Sequence, residues 1–268
     1  MSLDRALNKA SDRLSETAGN TLGKAAERLV RRMTKDFTVE GKEYVPAGGC
    51  LVISNHASHF DGHSLIAALA GENIGFAVHE EAEALQPFKG AARMAGITRL
   101  RPRVSHLPED DIASLSPDSL LGRAASREKE PIKRGADVLS NVAALIGLVD
   151  DIIKGKKVVF LPEGAFFKPD DKRLRQVTKG VKAISRIYKE RTGKDLSILP
   201  AGVEGGETVM GADPDSWSPK DMLRAMREKS GVVKVRFGEP FTISDGDDFD
   251  KVFKEKVGVL LPDAYHAD

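Results

Sequence analysis

One cysteine, one tryptophan, 6% aromatic residues and a formal net charge of +1 are what this 268-residue chain has little of. A single thiol, Cys50, permits no internal disulfide, zinc ribbon or redox CxxC pair, and a reducing cytosol is the expected compartment. With 41 Lys+Arg against 40 Asp+Glu, the chain is neither a globally basic nucleic-acid binder nor a disordered polyelectrolyte. No run approaches the roughly 18 uninterrupted apolar residues of a spanning helix. Charges also recur too often near the N-terminus for a signal-peptide core. What is present is 41% hydrophobic residues, on a chain long enough to bury about three quarters of its unfolded surface.

The apolar pattern divides the chain. Residues 1–35 place Leu3, Leu7, Leu14, Leu22, Leu29 and Met33 at helical spacing and carry eight Lys/Arg and four Asp/Glu. This N-terminal amphipathic helical segment, with a bend expected near Gly19 and Gly23, either docks on the core or lies on an anionic membrane surface. From residue 36, short apolar runs alternate with helical patterns. Strands are expected at 37–40, 50–54, 74–79, 98–100, 157–161, 197–203 and 232–237, with a short one at 241–243. Helices are expected at 62–70, 87–95, 135–154, 176–191, 219–229 and 248–260. Such alternation predicts an α/β fold with a mostly parallel sheet flanked by helices. Residues 36–245 read as one domain and 246–268 as a C-terminal helix and tail. The proline-punctuated stretch 102–134 reads as an insertion or lid.

Reactive side chains collect where apolar strands end. Leu51-Val-Ile-Ser runs into Asn55-His56-Ala-Ser-His59-Phe-Asp61-Gly-His63. Strand C-termini that lead into helix N-termini are where α/β sheets place ligands, because amide N–H groups there are unpaired. A histidine followed five residues on by an aspartate can act as a base with its orienter: the carboxylate sets the imidazole tautomer and stabilises the imidazolium. The same cluster has a metal reading, since His56, His59, Asp61 and His63 are all zinc-ligand types. Its H-x-x-H-x-D-x-H spacing nevertheless misses the H-x-H-x-D-H order of metallo-β-lactamase-like hydrolases, so no metal is assigned.

A second strand end reads Phe160-Leu-Pro162-Glu163-Gly164, with a carboxylate beside a flexible backbone. Residues 168–194 that follow hold ten Lys/Arg against three Asp/Glu, a local excess that suits a phosphate-bearing ligand or simply a solvated helix face. In Gly96-Ile-Thr-Arg99-Leu-Arg101, alternation puts two guanidinium forks on one side of a short strand.

Taken in order, Asn55-His56-xxxx-Asp61, Gly96-Ile-Thr-Arg-Leu-Arg101, Phe160-Leu-Pro162-Glu163-Gly164 and Ile198-Leu-Pro200-Ala resemble the four blocks of the glycerolipid acyltransferases. These include glycerol-3-phosphate and 1-acylglycerol-3-phosphate acyltransferases. The similarity runs from Val39-Glu-Gly41 to Arg236-Phe-Gly238-Glu-Pro240, about three quarters of the chain. It implies acyl transfer from acyl-CoA or acyl-carrier protein, as co-substrate and without a bound cofactor, to a hydroxyl of glycerol-3-phosphate or lysophosphatidate. His56 would then be the general base and Asp61 its orienter. Arg101, with Arg99 beside it, would hold the acceptor phosphate, and Glu163 and Gly164 would shape the acceptor pocket. His79 stands where relatives often carry a lysine near that phosphate.

One block departs from the family. Ala165-Phe166 stand where Pro-Glu-Gly-Thr-Arg is usual, which removes an arginine and leaves Lys168, Arg173 or Arg175 to replace it, or a different acceptor such as a glycolipid. A metal-dependent hydrolase and a non-catalytic lipid- or carrier-binding relative are the other readings. The expected partners are an acyl donor, a phosphorylated glycerol or lysophospholipid acceptor and a peripheral membrane surface, with no nucleic acid.

Overall fold

The computed structural model describes residues 17, 20–58, 60–79, 98–100, 125–127, 129–163, 174–210 and 219–266. Its strands are β1 (Asp36–Glu40), β2 (Cys50–Ser54), β3 (Ile74–His79), β4 (Thr98–Leu100), β5 (Lys157–Phe160), β6 (Ile198–Glu204) and β7 (Val232–Phe237). They form one sheet in the order β1-β7-β6-β2-β5-β3-β4. Every pairing is parallel except β6 with β7. The helices are α1 (20–33), α2 (Phe60–Ala68), α3 (Pro131–Ile153), α4 (Gly180–Thr192), α5 (Glu207–Met210), α6 (Pro219–Glu228) and α7 (Phe249–Gly258).

Period-two alternation divides the central strands between two cores. Cys50, Val52, Val159, Leu199 and Ala201 face one, which α1 and α2 cover with Val30, Met33, Leu65 and Ile66. Leu51, Ile53, Val158, Phe160 and Ile198 face the other, covered by Leu148 and Ile152 of α3, Ile184 of α4 and Phe253 of α7. Strands buried on both faces read as near-continuous apolar runs, and β2, buried at all five positions, is apolar from Cys50 to Ile53 before it ends in Ser54.

Several elements differ from the sequence expectation. The pattern at 241–243 yields a single bridge, Ile198 to Phe241, on the β6 edge that β7 leaves free ahead of Ala201, and no strand of its own. The helix α1 is unbroken through Gly23, from 20 to 33, while Gly19 lies outside the described residues; Gly23 lets α1 lie against Ala70 and Ile74, where an added Cβ would come within 3.1 Å of both. The stretch 102–134 is shorter as an excursion than it reads, since Pro131 opens α3 at a first-turn position that needs no N–H. The short α5 follows β6 with no forewarning in the apolar pattern. The helix expected at 87–95 and most of 102–134 lie outside the described residues. Among those described, no helix is long and apolar enough to cross a membrane.

Topology decides where a ligand can enter. The connection from β2 through α2 leads to β3 on one side of β2, whereas that from β5 through α4 leads to β6 on the other. The C-terminal ends of β2 and β5 therefore flank a switch point, the place where open α/β sheets leave a crevice. β3, β4 and β6 run the same way, so His79, Leu100 and the turn after Glu204 reach that same edge.

Candidate active site

His56 follows β2 by two residues, and Asp61 lies in the first turn of α2. Local chemistry makes that turn. Ser58 and Asp61 form a capping box: the Ser58 hydroxyl accepts from the Phe60 N–H (3.1 Å), and Asp61 Oδ2 accepts from the Ser58 N–H (2.7 Å). Asp61 Oδ2 also accepts from the Ala57 N–H (2.6 Å), and Oδ1 from the Ser58 hydroxyl (2.9 Å). The cap explains why the helix begins at Phe60, two residues ahead of the start expected from apolar spacing.

That carboxylate, fully buried, faces the imidazole: His56 Nδ1 is 3.5 Å from Asp61 Oδ2. A proton on Nδ1 is thereby favoured, which leaves Nε2, across the ring, to take a proton from a substrate. The His56 side chain stays 15% exposed, so a ligand can reach it. Behind the pair, Asn55 acts as a peptide surrogate. Its Nδ2 donates to the Val203 carbonyl and its Oδ1 accepts from the Val203 N–H, both at 2.8 Å, extending the β2–β6 ladder one residue beyond Ser54.

Glu163, just past β5, crosses the switch point. Its Oε1 accepts from the His56 N–H (2.9 Å) and its Oε2 from the Arg175 N–H (3.0 Å). Burial pushes this carboxyl from its usual 4.5 up to about 8; the two amides and the Arg175 charge oppose the shift, and the Asp61 charge adds to it. Glu163 therefore clasps three segments together at the site.

A wall that sequence reasoning missed closes the far side. The turn after β6 lays Gly206 against Asp61 and Ser58, and a methyl there would strike Asp61 Oδ1 and come within 2.7 Å of Ser58 Oγ. Tyr265, from the C-terminal 3-10 turn (Asp263–Tyr265), reaches this turn from below. The capping box was legible as Ser-x-x-Asp; Gly206 and Tyr265 carry no local signal, since only the fold brings them to residue 61.

The other candidates are placed less completely. His79 ends β3, and Arg99 is the middle residue of β4, its Cα paired with that of Val78. Arg101, Gly164 and Lys168 lie outside the described residues, as do Arg173, Ala165 and Phe166. In the basic tract, Lys182 is engaged by the Asp245 and Asp247 carbonyls, and Arg186, Lys189 and Arg191 by Glu190, Asp195 and Asp150. His63 stacks on Phe60 at 6.2 Å, and His59 is outside the described residues. Among those described, no three His, Cys, Asp or Glu side chains gather to hold a metal ion. Cys50 is fully buried, and burial pushes its thiol up to about 12, far from a nucleophilic thiolate.

A mostly parallel sheet that offers a histidine–carboxylate pair at its switch point is the scaffold of an α/β enzyme. The chain belongs to the acyltransferase family, whose model matches residues 36–204, from β1 to the end of β6. Its fold is similar to that of the 1-acyl-sn-glycerophosphate (LPA) acyltransferase PlsC from Thermotoga maritima. The two align with a TM-score of 0.54 and 16% identity, over 97% of this chain and 82% of that one. No curated protein matches in sequence.

Proposed function

We propose that this acyltransferase moves a fatty acyl group from an acyl thioester, acyl-CoA or acyl-carrier protein, to a hydroxyl of glycerol-3-phosphate or lysophosphatidate. The observation that carries the mechanism is the His56–Asp61 pair, with Nδ1 turned toward a buried carboxylate. The acceptor oxygen attacks the thioester carbonyl carbon as His56 Nε2 removes its proton. The tetrahedral intermediate then expels the thiolate, which takes the proton back from the imidazolium. No acyl-enzyme is needed. Asp61 fixes the tautomer and stabilises the charged ring. The phosphorylated glycerol acceptor is supported by the ordered sequence blocks and by the similarity in fold to an acyltransferase of that acceptor class. Arg101 and Arg99 are assigned to its phosphate, and His79, Gly164 and Lys168 to the pocket around it. Glu163 would meet the acceptor with lone pairs beyond those that hold the two amides.

The test is a matrix of acyl-CoA and acyl-carrier donors against glycerol-3-phosphate, lysophosphatidate and non-phosphorylated acceptors, run with wild type and His56→Ala. His56→Ala should lose about 10²–10⁴-fold in kcat while keeping its fold. Transfer undiminished in that variant would overturn the assignment of the base. Reaction with non-phosphorylated acceptors alone would remove the role given to Arg101 and would favour a glycolipid-type acceptor, the reading that Ala165-Phe166 motivates.

A further inference from the structure

Tyr265 lies beyond the family's matched region and far from the site in sequence, yet it bonds to both sides of the site. The residue is buried at 2% exposure and its ring packs in the core that contains Leu174, Phe253 and Val257. At one end, its hydroxyl accepts from the Gly205 N–H (3.3 Å) and donates to the Glu207 carboxylate (3.2 Å to Oε2, 3.4 Å to Oε1). Gly205 and Glu207 flank Gly206, the residue pressed against Asp61 and Ser58. At the other end, the Tyr265 carbonyl accepts from the Leu174 N–H at 3.0 Å. The next residue, Arg175, gives its N–H to Glu163, whose other oxygen holds the backbone of His56.

We infer that Tyr265 is a positioning residue for the His56–Asp61 pair: its hydroxyl pins the turn that closes on Asp61, and its carbonyl pins the segment that holds Glu163. Tyrosine suits this task because an apolar ring can fill a core while its hydroxyl reaches a buried amide and a carboxylate. Glu207 is its counterpart. At 9% exposure that carboxylate needs a donor where it stands, and the hydroxyl supplies one. The Gly205 backbone, at φ 84°, turns the chain sharply enough to bring Gly206 onto Asp61, and an added Cβ at Gly205 would strike the Val232 carbonyl. The turn closes on itself, its Gly205 carbonyl accepting from the Thr208 N–H (3.1 Å) and hydroxyl (2.6 Å), and the tyrosine ties it to the core. Releasing the tyrosine bond lets the turn back away from the Asp61 carboxylate. A shift of about 1 Å in a group that positions a catalytic base can cost on the order of 10²-fold in rate.

This inference rests on the proposed transfer for its kinetic readout, but a second readout needs no substrate. The N–H groups of Ala57 and Ser58 are held only as firmly as Asp61 is, so their hydrogen exchange reports its placement. Tyr265→Phe keeps the ring, and the carbonyl bond to Leu174 with it. It should speed exchange at Ala57 and Ser58 while leaving Leu51 to Ile53 slow, and lower kcat about 10-fold with KM values within about twofold. Glu207→Ala should reproduce the loss and the double variant add little, whereas Glu207→Gln, which retains an acceptor oxygen, should recover most of it. A Tyr265→Phe protein that is merely less stable, with wild-type exchange at Ala57 and Ser58 and wild-type kcat per folded molecule, would overturn the inference. Should that variant fail to fold, equal behaviour of Glu207→Ala and Glu207→Gln would do so. If the wild type transfers no acyl group to any acceptor, the proposed function fails, while the exchange comparison still decides the role of Tyr265.

Discussion

Glu163 shows how a side chain with an expected role in acceptor binding also acquires a structural one. Both of its oxygens are occupied by backbone amides, so its first effect is to fix His56 and the segment at Arg175. Burial holds its carboxyl at about 8, against 4.5 when solvated, so the folded state binds more protons than the unfolded state between those values. Stability from this group is therefore full below about 4.5, falls as pH rises and levels off above about 8, a change on the order of 3–5 kcal/mol. Glu163→Gln should abolish that slope while costing about 1–2 kcal/mol at low pH, since its NH₂ must face one of the two amides. Urea denaturation from pH 4 to 9 reads the difference between wild type and variant; parallel curves would show that Glu163 does not titrate in this window. The contact of Asp61 with His56 was legible because a histidine and an aspartate five residues apart meet across one turn. Those of Gly206 and Tyr265 were not, because nothing local distinguishes them from any turn glycine or buried tyrosine.

At the scale of elements, the site depends on β2 being locked between β5 and β6. Asn55 extends the lock past the last residue of the strand, bonding both polar groups of Val203 with its side-chain amide. Asn55→Ala leaves a buried N–H and a buried carbonyl without these partners, at about 1–3 kcal/mol for each group. The expected outcome is an unfolding free energy lower by about 2–5 kcal/mol together with a marked loss of kcat, because His56 is the next residue. Activity per folded molecule equal to wild type would show that the strand end is held by other means. Strand positions were largely readable from the sequence, since strands buried on both faces read as near-continuous apolar runs. Helix starts were less so, because caps and not apolar spacing set them. Ser58 and Asp61 moved the start of α2 to Phe60, and Pro131 moved that of α3 well ahead of the expected 135. The expected strand at 241–243 reduces to one bridge, and β-propensity cannot tell how little of a neighbour's edge is open: β7 pairs Ala201 to Glu204, and Phe241 meets only Ile198.

For the whole molecule, the sheet divides the interior in two, and α1 is part of one half. Leu22, Ala26, Val30 and Met33 are all buried in the core with Val52 and Leu199, which makes 20–33 a structural cover of the sheet. Met33→Ala, at a fully buried position, should lower the unfolding free energy by about 2–5 kcal/mol. An unchanged urea midpoint would mean that this face serves something other than the core. Vesicle flotation with residues 1–35 deleted separates a membrane role for the preceding residues from this packing role.

The sequence by itself determined the alternation of strands and helices, the two-faced burial of the sheet, and the histidine and aspartate at the end of β2. All of these follow from periodicity and spacing within a few residues. Only the tertiary structure decided that Glu163 would clasp His56, 107 residues away, and that Asn55 would pair with Val203 at a distance of 148. It also decided that a tyrosine near the C-terminus would bond to both sides of the site. Those contacts arise from a crossover that brings β5 and β6 to either flank of β2, and no local pattern of residues encodes which strands will become neighbours.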